Sequence, residues 1–381
     1  MGGFKLILGT PINAVPQPWF ILNVPGVMVN AYDIMRVGLS RVRGRGLRKL
    51  LGIDDDTELW IDSGGYQFLK RSMDPGTYKI AKIYREVDAD YYISLDYPPG
   101  PMDDPSMRAR KIAKTISSFM SLKGMLRSLV EEGRLIPVFH ISVGESLRLQ
   151  LRCYEPHSPV AAAGGLIPYF MQRSGRYSRL KAVLFLILLR KLWRGRLHAL
   201  GLASAAVIPL LRVVGVDSGD TQTWRHKAAF GKIIVPGLGE RHISGQRVRF
   251  GPAVLRDENE VAVYRSFVDK ASKLLNVSHE SLVSSFEARA LFNAWVLLQV
   301  ASNGGTYNGA SKPFVKLYES ARALFRLPPE ELEAKLATLL SYQPGTVEME
   351  AGEEVREIAT VERLPSSTPG SADMATSIER V

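Results

Sequence analysis

Aspartates close several of the chain's apolar, strand-length runs, and these are the residues that could do chemistry. Leu59-Trp60-Ile61 runs into Asp62, and Ser63, Gly64, Gly65, Tyr66 and Gln67 follow at once. Ala89–Asp96 ends in an acid before Pro98-Pro99, and Val213–Asp217 runs on into Ser218-Gly219-Asp220. His140 lies in the apolar run Arg134–Ser142, and Pro159–Gly165 closes on a glycine pair before Leu166. A carboxylate at the end of a buried strand, beside backbone without side chains, suits a site that a flat ligand must enter. Paired carboxylates support metal binding, glycoside hydrolysis, or exchange at an anomeric carbon through a covalent carboxylate ester. Six histidines and one cysteine argue against the first. In the other two, one acid attacks the sugar and a second moves the proton, so both must sit beside one sugar. Asp62 and Asp220 are the candidates for that pair. Plain structural roles compete. A strand-end Asp can cap the next helix, Asp96 can simply form a turn, one of Asp217 and Asp220 can cap while the other works, and His140 can be a hydrogen-bonded core histidine.

Distant acids meet only if the fold gathers the strand ends. Strand-length runs begin at Phe4–Leu8, Gly26–Ala31 and Leu59–Asp62 and continue through Ala89–Asp96, Arg134–Ser142, Pro159–Gly165, Leu197–Leu202 and Val213–Asp217 to Lys232–Val235. Helical stretches alternate with them: Arg36–Lys49 (a helix and loop), Thr77–Val87, Asp104–Glu132, Glu145–Tyr154, Ser174–Arg196, Ala205–Leu211 and Trp224–Phe230. Such alternation means parallel strands with crossover helices, and about eight strands fit a (β/α)8 barrel of the TIM type. Residues 1–250 are expected to form the barrel. Helices over Asn259–Leu275, His279–Ala301 and Lys312–Phe325 are expected to make a subdomain at 251–330. Residues 331–381 are expected to be an acidic, partly disordered tail.

Net charge is +11, and it is unevenly spread. Nine glutamates face three cations between Glu330 and Arg363, so the chain before Glu330 is more basic than the whole. That excess points to a polyanionic partner, most simply nucleic acid. The Arg36–Lys49 stretch could contact phosphates or be a solvated basic face. One cysteine, Cys153, excludes an internal disulfide framework, which fits a reducing, cytoplasmic setting. No signal pattern opens the chain, and the greasiest run, Ala182–Leu189, is far too short to span a bilayer. No membrane partner is expected.

Asp62-Ser63-Gly64-Gly65-Tyr66-Gln67 resembles the DSGG(F/Y)Q segment of the tRNA-guanine transglycosylase superfamily. Gly215-Val216-Asp217-Ser218-Gly219-Asp220 looks like its nucleophile segment. Gly164-Gly165-Leu166 is similar to its base-recognition turn, Ser94-Leu95-Asp96 to its base-reading strand, and Phe139–Leu147 to a further strand and helix, all in the same order. The resemblance covers roughly residues 4–245. It implies that Asp220 attacks C1′ of a guanosine nucleotide, that Asp62 handles the proton, and that Asp96 accepts from the N–H edge of the purine. Gly165 and Leu166 would offer backbone groups, and Ser63 and Tyr66 would hold the base, Tyr66 by stacking. The incoming base would be a free 7-deazaguanine, and the polymer tRNA or, alternatively, DNA. A homodimer is a further expectation. Three departures stand out. His140 occupies a position where the family has a base-reading glutamine, Gly219 one where it has an aromatic, and a single cysteine cannot build the family's zinc site. No cofactor is therefore expected. A catalytically silent nucleic-acid-binding subunit and a carbohydrate glycosidase are the competing expectations.

Overall fold

A computed structural model describes residues 3–171, 178–236, 239–244, 255, 257–302 and 312–341. Its centre is one parallel sheet of nine strand segments: β1 Lys5–Gly9, β2 Gly26–Asn30, β3 Glu58–Asp62, β4 Tyr91–Ile93, β5 Leu135–Ile136, β6 Val138–Phe139, β7 Val160–Ala163, β8 Arg196–Ala199 and β9 Ser218–Thr221. β1 pairs with both β2 and β9, and the order runs β5-β4-β3-β2-β1-β9-β8-β7-β6. β5 and β6 are two halves of one run, interrupted where Pro137 brings no backbone N–H. The first half pairs with β4 and the second with β7, while the Pro137 carbonyl still accepts from Ala162 N at 2.9 Å. The sheet thus turns back on itself as the expected α/β barrel.

Strand alternation sorts the core into two. Ile7, Met28, Trp60, Ile93, Ile136, Val138, Val160 and Ala162 form a buried cluster of their own that fills the barrel. Their neighbours Leu6, Leu8, Val27, Val29, Leu59, Ile61, Tyr92 and Ala163 belong to a much larger cluster shared with the helices. Side chains two residues apart share a face, so Trp60 directs Asp62 toward the barrel axis at the mouth. One long crossover helix starts from a recognisable side-chain cap. Asp104 accepts from Met107 N at 2.9 Å ahead of Pro105, opening helix Pro105–Met125.

Several boundaries differ from expectation. Val213–Asp217 is not a strand. Helix Ile208–Val213 ends there, and the chain turns through Gly215 at φ 76 before β9 begins at Ser218. Val214 and Val216 are buried by packing rather than by pairing. Lys232–Val235 (β10) stays outside the barrel and pairs antiparallel with Gly239–His242 (β11). The expected helix start at Ser174 lies outside the described residues, whose helix is Ser178–Leu192; Arg196 opens β8 instead.

The helices beyond residue 250 pack on the barrel and share its core. Helix Phe286–Ser302 packs on β1, β10 and helix Thr223–Ala229, and its apolar residues belong to the same core as the barrel's outer face. Two of its polar residues lock that packing. Asn293 Oδ1 accepts from Ile234 N at 2.7 Å, and Arg289 donates to the carbonyls of Ala228, Leu282 and Val283. The greasy run Ala182–Leu189 is explained likewise. It is wholly buried, because helices Lys312–Leu324 and Pro329–Ser341 cover its outer side. Residues 331–341 are therefore helix, with Leu332, Leu336 and Leu339 buried, and not tail. The rest of the expected tail, 342–381, lies outside the described residues. Among the described residues no helix is long and apolar enough to cross a membrane.

Candidate active site

Asp62 ends β3 and Asp220 lies within β9, on the far side of β2 and β1. Ser218 and Asp220 are alternate residues of β9, and both bond to His198 of β8, whose ring stacks on Trp60 with centroids 4.7 Å apart. They therefore point into the barrel above its apolar filling. Asp220 Oδ1 accepts from Gly201 N at 2.7 Å and faces His198 Nε2 at 3.2 Å. His198 Nδ1 lies 2.9 Å from Ser218 Oγ. The consistent arrangement is Ser218 donating to Nδ1 and Nε2–H donating to Asp220. Two donors thus hold Oδ1, and Oδ2 accepts from none of the described residues.

Asp62 and Asp220 are close enough to feel each other's charge. Burial, then the Asp220 charge, push the Asp62 carboxyl up to about 7, against the pull of the Gly64 and Ser63 amides. Asp96 follows the same logic. Burial first, then Asp62, raise it to about 8. Gly65 makes that approach possible, since a Cβ there would lie 2.6 Å from Asp96 Oδ1 and 2.7 Å from Asp96 O. Two of the mouth's acids, Asp62 and Asp96, thus hold protons near neutrality.

Across Asp96 stands His140, fully buried. Gln150 of helix Gly144–Tyr154 fixes its backbone, accepting from His140 N at 2.9 Å and donating to Ser142 Oγ at 2.8 Å. Burial holds the imidazole down at about 4, with Lys111 pushing the same way and the Gly164 carbonyl opposing. The ring is neutral at pH 7. Nδ1 lies 3.2 Å from Gly164 O, which makes it the protonated nitrogen and leaves Nε2 a bare acceptor. Nε2 is 3.4 Å from Asp96 Oδ2 but makes no hydrogen bond. Ser94 Oγ and Gln67 Oε1, near in sequence to Asp96 and Asp62, are also buried without a partner. Such orphaned polar atoms are what a polar ligand would satisfy.

The other expected site residues divide. Gly165, left-handed at φ 73, lies against His140 and Pro98 at the same mouth. Leu166 buries its side chain in the outer core, so only its backbone is available. Ser63 is buried and its Oγ accepts from Gly65 N at 3.4 Å. Tyr66 starts helix Gly65–Lys70, and its side chain lies outside what the structure describes. Asp217 is tied down by Leu197 N at 2.7 Å and Arg190 at 3.1 Å, away from the other acids at the strand ends. Gly219 has no room for an aromatic, because the Phe4 ring and the Ala199 carbonyl crowd its position within 3.2 Å. His198, Ser218, Gly201 and Gln150 were not expected as site residues. The available signal was the i, i+2 spacing of Ser218 and Asp220, hidden by placing the strand end at Asp217.

Of the expected phosphate-contacting stretch, Arg48 is committed to Asp90 at 2.5 Å and to the carbonyls of Asp54 and Thr57. Arg43 lies 3.6 Å from Glu86, whereas Arg36, Arg41, Arg45 and Lys49 are exposed. Among the described residues no group of three or more His, Cys, Asp or Glu could hold a metal ion, and Cys153 is the chain's one cysteine.

The titrations carry a stability consequence. Asp62 and Asp96 bind their protons more tightly folded than at the ordinary 3.8, so folding takes up protons. Stability is full below about pH 4 and is lost as pH rises through about 7 and 8. Asp96→Asn, neutral throughout, should melt higher relative to wild type at about pH 8 than at about pH 5, by on the order of a few kcal/mol. Parallel melting curves across that range would show that the acids do not titrate there.

Fold and mouth together define a parallel α/β barrel with three buried acids gathered at its strand ends. No protein-family model matches the chain. It is similar to a protein described as uncharacterized protein 306 of Sulfolobus islandicus rod-shaped virus 1, 24% identical over 246 residues, which cover 63% of this chain and 70% of that protein.

Proposed function

We propose that the protein is a nucleic-acid guanine transglycosylase, replacing a guanine in tRNA by a 7-deazaguanine base through an aspartyl–ribosyl ester. The observation that carries this reading is the convergence of Asp62, Asp96 and Asp220, with Asp220 held by one oxygen only. Asp220 Oδ2 attacks C1′, the C1′–N9 bond breaks, and guanine leaves with the proton of Asp62. The incoming base then returns its N9 proton to Asp62 and attacks C1′, releasing Asp220. A group near 7 can serve as acid and then as base. Asp96, when ionised, is an acceptor for the N–H edge of either purine, and His140 Nε2 is a second acceptor beside it. The Gly165 backbone supplies the donor that the base's carbonyl requires. The basic body, with its exposed Arg36, Arg41 and Arg45, suits the polymer, whose target nucleotide must leave its stack to reach the mouth.

The test is an adduct trap with tRNA and DNA side by side, in the presence of labelled guanine. A denaturant-resistant adduct with tRNA, with label incorporated, is the expected result. Adduct with DNA alone would move the activity to that polymer. Neither adduct nor exchange with either would overturn the reading and leave a nucleic-acid-binding subunit or a carbohydrate glycosidase.

A further inference from the structure

Beside the mouth lies a group of cations that the three acids do not explain. Lys181 sits in the first turn of helix Ser178–Leu192 and is only 6% exposed. It makes no hydrogen bond or ion pair with any described residue. Burial, and then the charge of Arg108, push its ammonium pKa down. Arg108, in the first turn of helix Pro105–Met125, has its Nη1 buried without an acceptor. It also lies against the buried Tyr169 hydroxyl, acting on it by charge and as a hydrogen-bonding neighbour, although that hydroxyl completes no well-formed bond. The three come from different crossover helices, yet the fold clamps two of them together. Ser178 Oγ donates to Tyr169 O at 2.7 Å, and Arg179 Nε donates to Phe170 O at 2.9 Å, fastening the start of helix Ser178–Leu192 onto helix Ile167–Phe170. Tyr169 is four residues past Gly165, so the group adjoins the base-reading side of the mouth.

A buried cation without a counter-charge is costly, and the charge of the partly exposed Arg108 nearby makes Lys181 costlier still. The acid whose charge reaches Tyr169 is Asp103, already engaged by Lys111 Nζ and Gly100 N, both at 2.7 Å. What the three residues have in common is donor capacity that no acid satisfies: an ammonium, a guanidinium edge and a phenol. The positive end of a 15-residue helix adds to it. A neutral core lysine would want apolar neighbours, not the charge of an arginine.

We propose that Lys181, Arg108 and Tyr169 form a second binding site, for one tetrahedral oxyanion of the phosphate class. A phosphodiester of the polymer and free phosphate share that chemistry. The site stands whether or not the mouth exchanges bases, because it requires only binding.

Two measurements on the full chain decide it. Inorganic phosphate should raise the melting temperature of wild type above chloride at matched ionic strength, and should fail to do so in Lys181→Met and Arg108→Gln. A short single-stranded oligonucleotide should bind Lys181→Met about tenfold or more weaker, with the salt slope reduced by about one phosphate contact. Loss of both responses assigns the site to a polymer phosphate, and loss of the phosphate response alone assigns it to the free anion. Tyr169→Phe and Lys181→Arg, which change least, replace any variant that melts without cooperativity, the first weakening and the second retaining the response. An equal phosphate shift in wild type and variants, or no response of wild type to either ligand, overturns the proposal. Because neither readout involves adduct or label, failure here is distinct from failure of base exchange.

Discussion

Asp220→Asn should abolish the covalent adduct and lower base exchange by on the order of a thousandfold or more, while the protein keeps its melting temperature. The two parts follow from one geometry. Asparagine Oδ1 can still accept from Gly201 N and from His198 Nε2, so the loop after β8 and the histidine stay anchored. What is lost is the charge on the second oxygen, the atom left for C1′. His198 offers a graded companion. It holds Asp220 through one bond at 3.2 Å and is itself set by Ser218, so His198→Phe should preserve stacking on Trp60 while loosening the carboxylate. The expected loss is smaller, about ten- to a hundredfold in kcat with KM little changed. Gel-resolved adduct and single-turnover exchange check both. An Asp220→Asn protein that still forms adduct would move the nucleophile elsewhere; if none forms yet exchange stays at wild-type rate, the covalent route is wrong.

How far the chain could be read from its residues depends on what each signal rests on. The place of Asp62 at a strand end was legible because one local segment carries it: the apolar run, the acid and the glycine pair are contiguous, and Gly65 is required by contact with Asp96. The barrel was legible from alternation of strands and helices, which is local. Strand β9 was not, because Val214 and Val216 are as apolar as any strand yet are buried under a turn through Gly215. His198 and Gln150 escaped for a different reason. Each acts across a pairing, β8 to β9 or helix to strand, and neither the inward face of β8 nor the reach of Gln150 to His140 can be known before the register is. The same holds for Asn293 and Arg289, whose backbone partners at Ile234 and Ala228 fasten helix Phe286–Ser302 to the barrel. Segments that act locally were readable; residues whose partners are set by tertiary contacts were not.

Asp62→Asn should separate the two halves of the reaction. In the resting protein the proton stays on Asp62 because its carboxylate is buried and faces the charge of Asp220. In the proposed reaction that protonated acid would assist guanine's departure. Once Asp220 becomes a neutral ester, the repulsion that helped keep the proton on Asp62 is gone, and only burial still favours the neutral form. Asp62 then remains ionised long enough to take the N9 proton of the incoming base. In the proposed reaction one residue would thus alternate between acid and base because its neighbour alternates between charged and esterified. Asparagine can do neither, so overall exchange should fall by about 100-fold or more. Because the amide can still donate a hydrogen bond toward the leaving base, adduct formation should slow less than discharge, and adduct should accumulate above the wild-type level when both bases are present. The wild-type rate should peak near pH 7, where Asp62 changes form, and that peak should flatten in the variant. Equal slowing of both halves with an unchanged pH profile would assign Asp62 to holding the mouth's shape rather than to moving the proton.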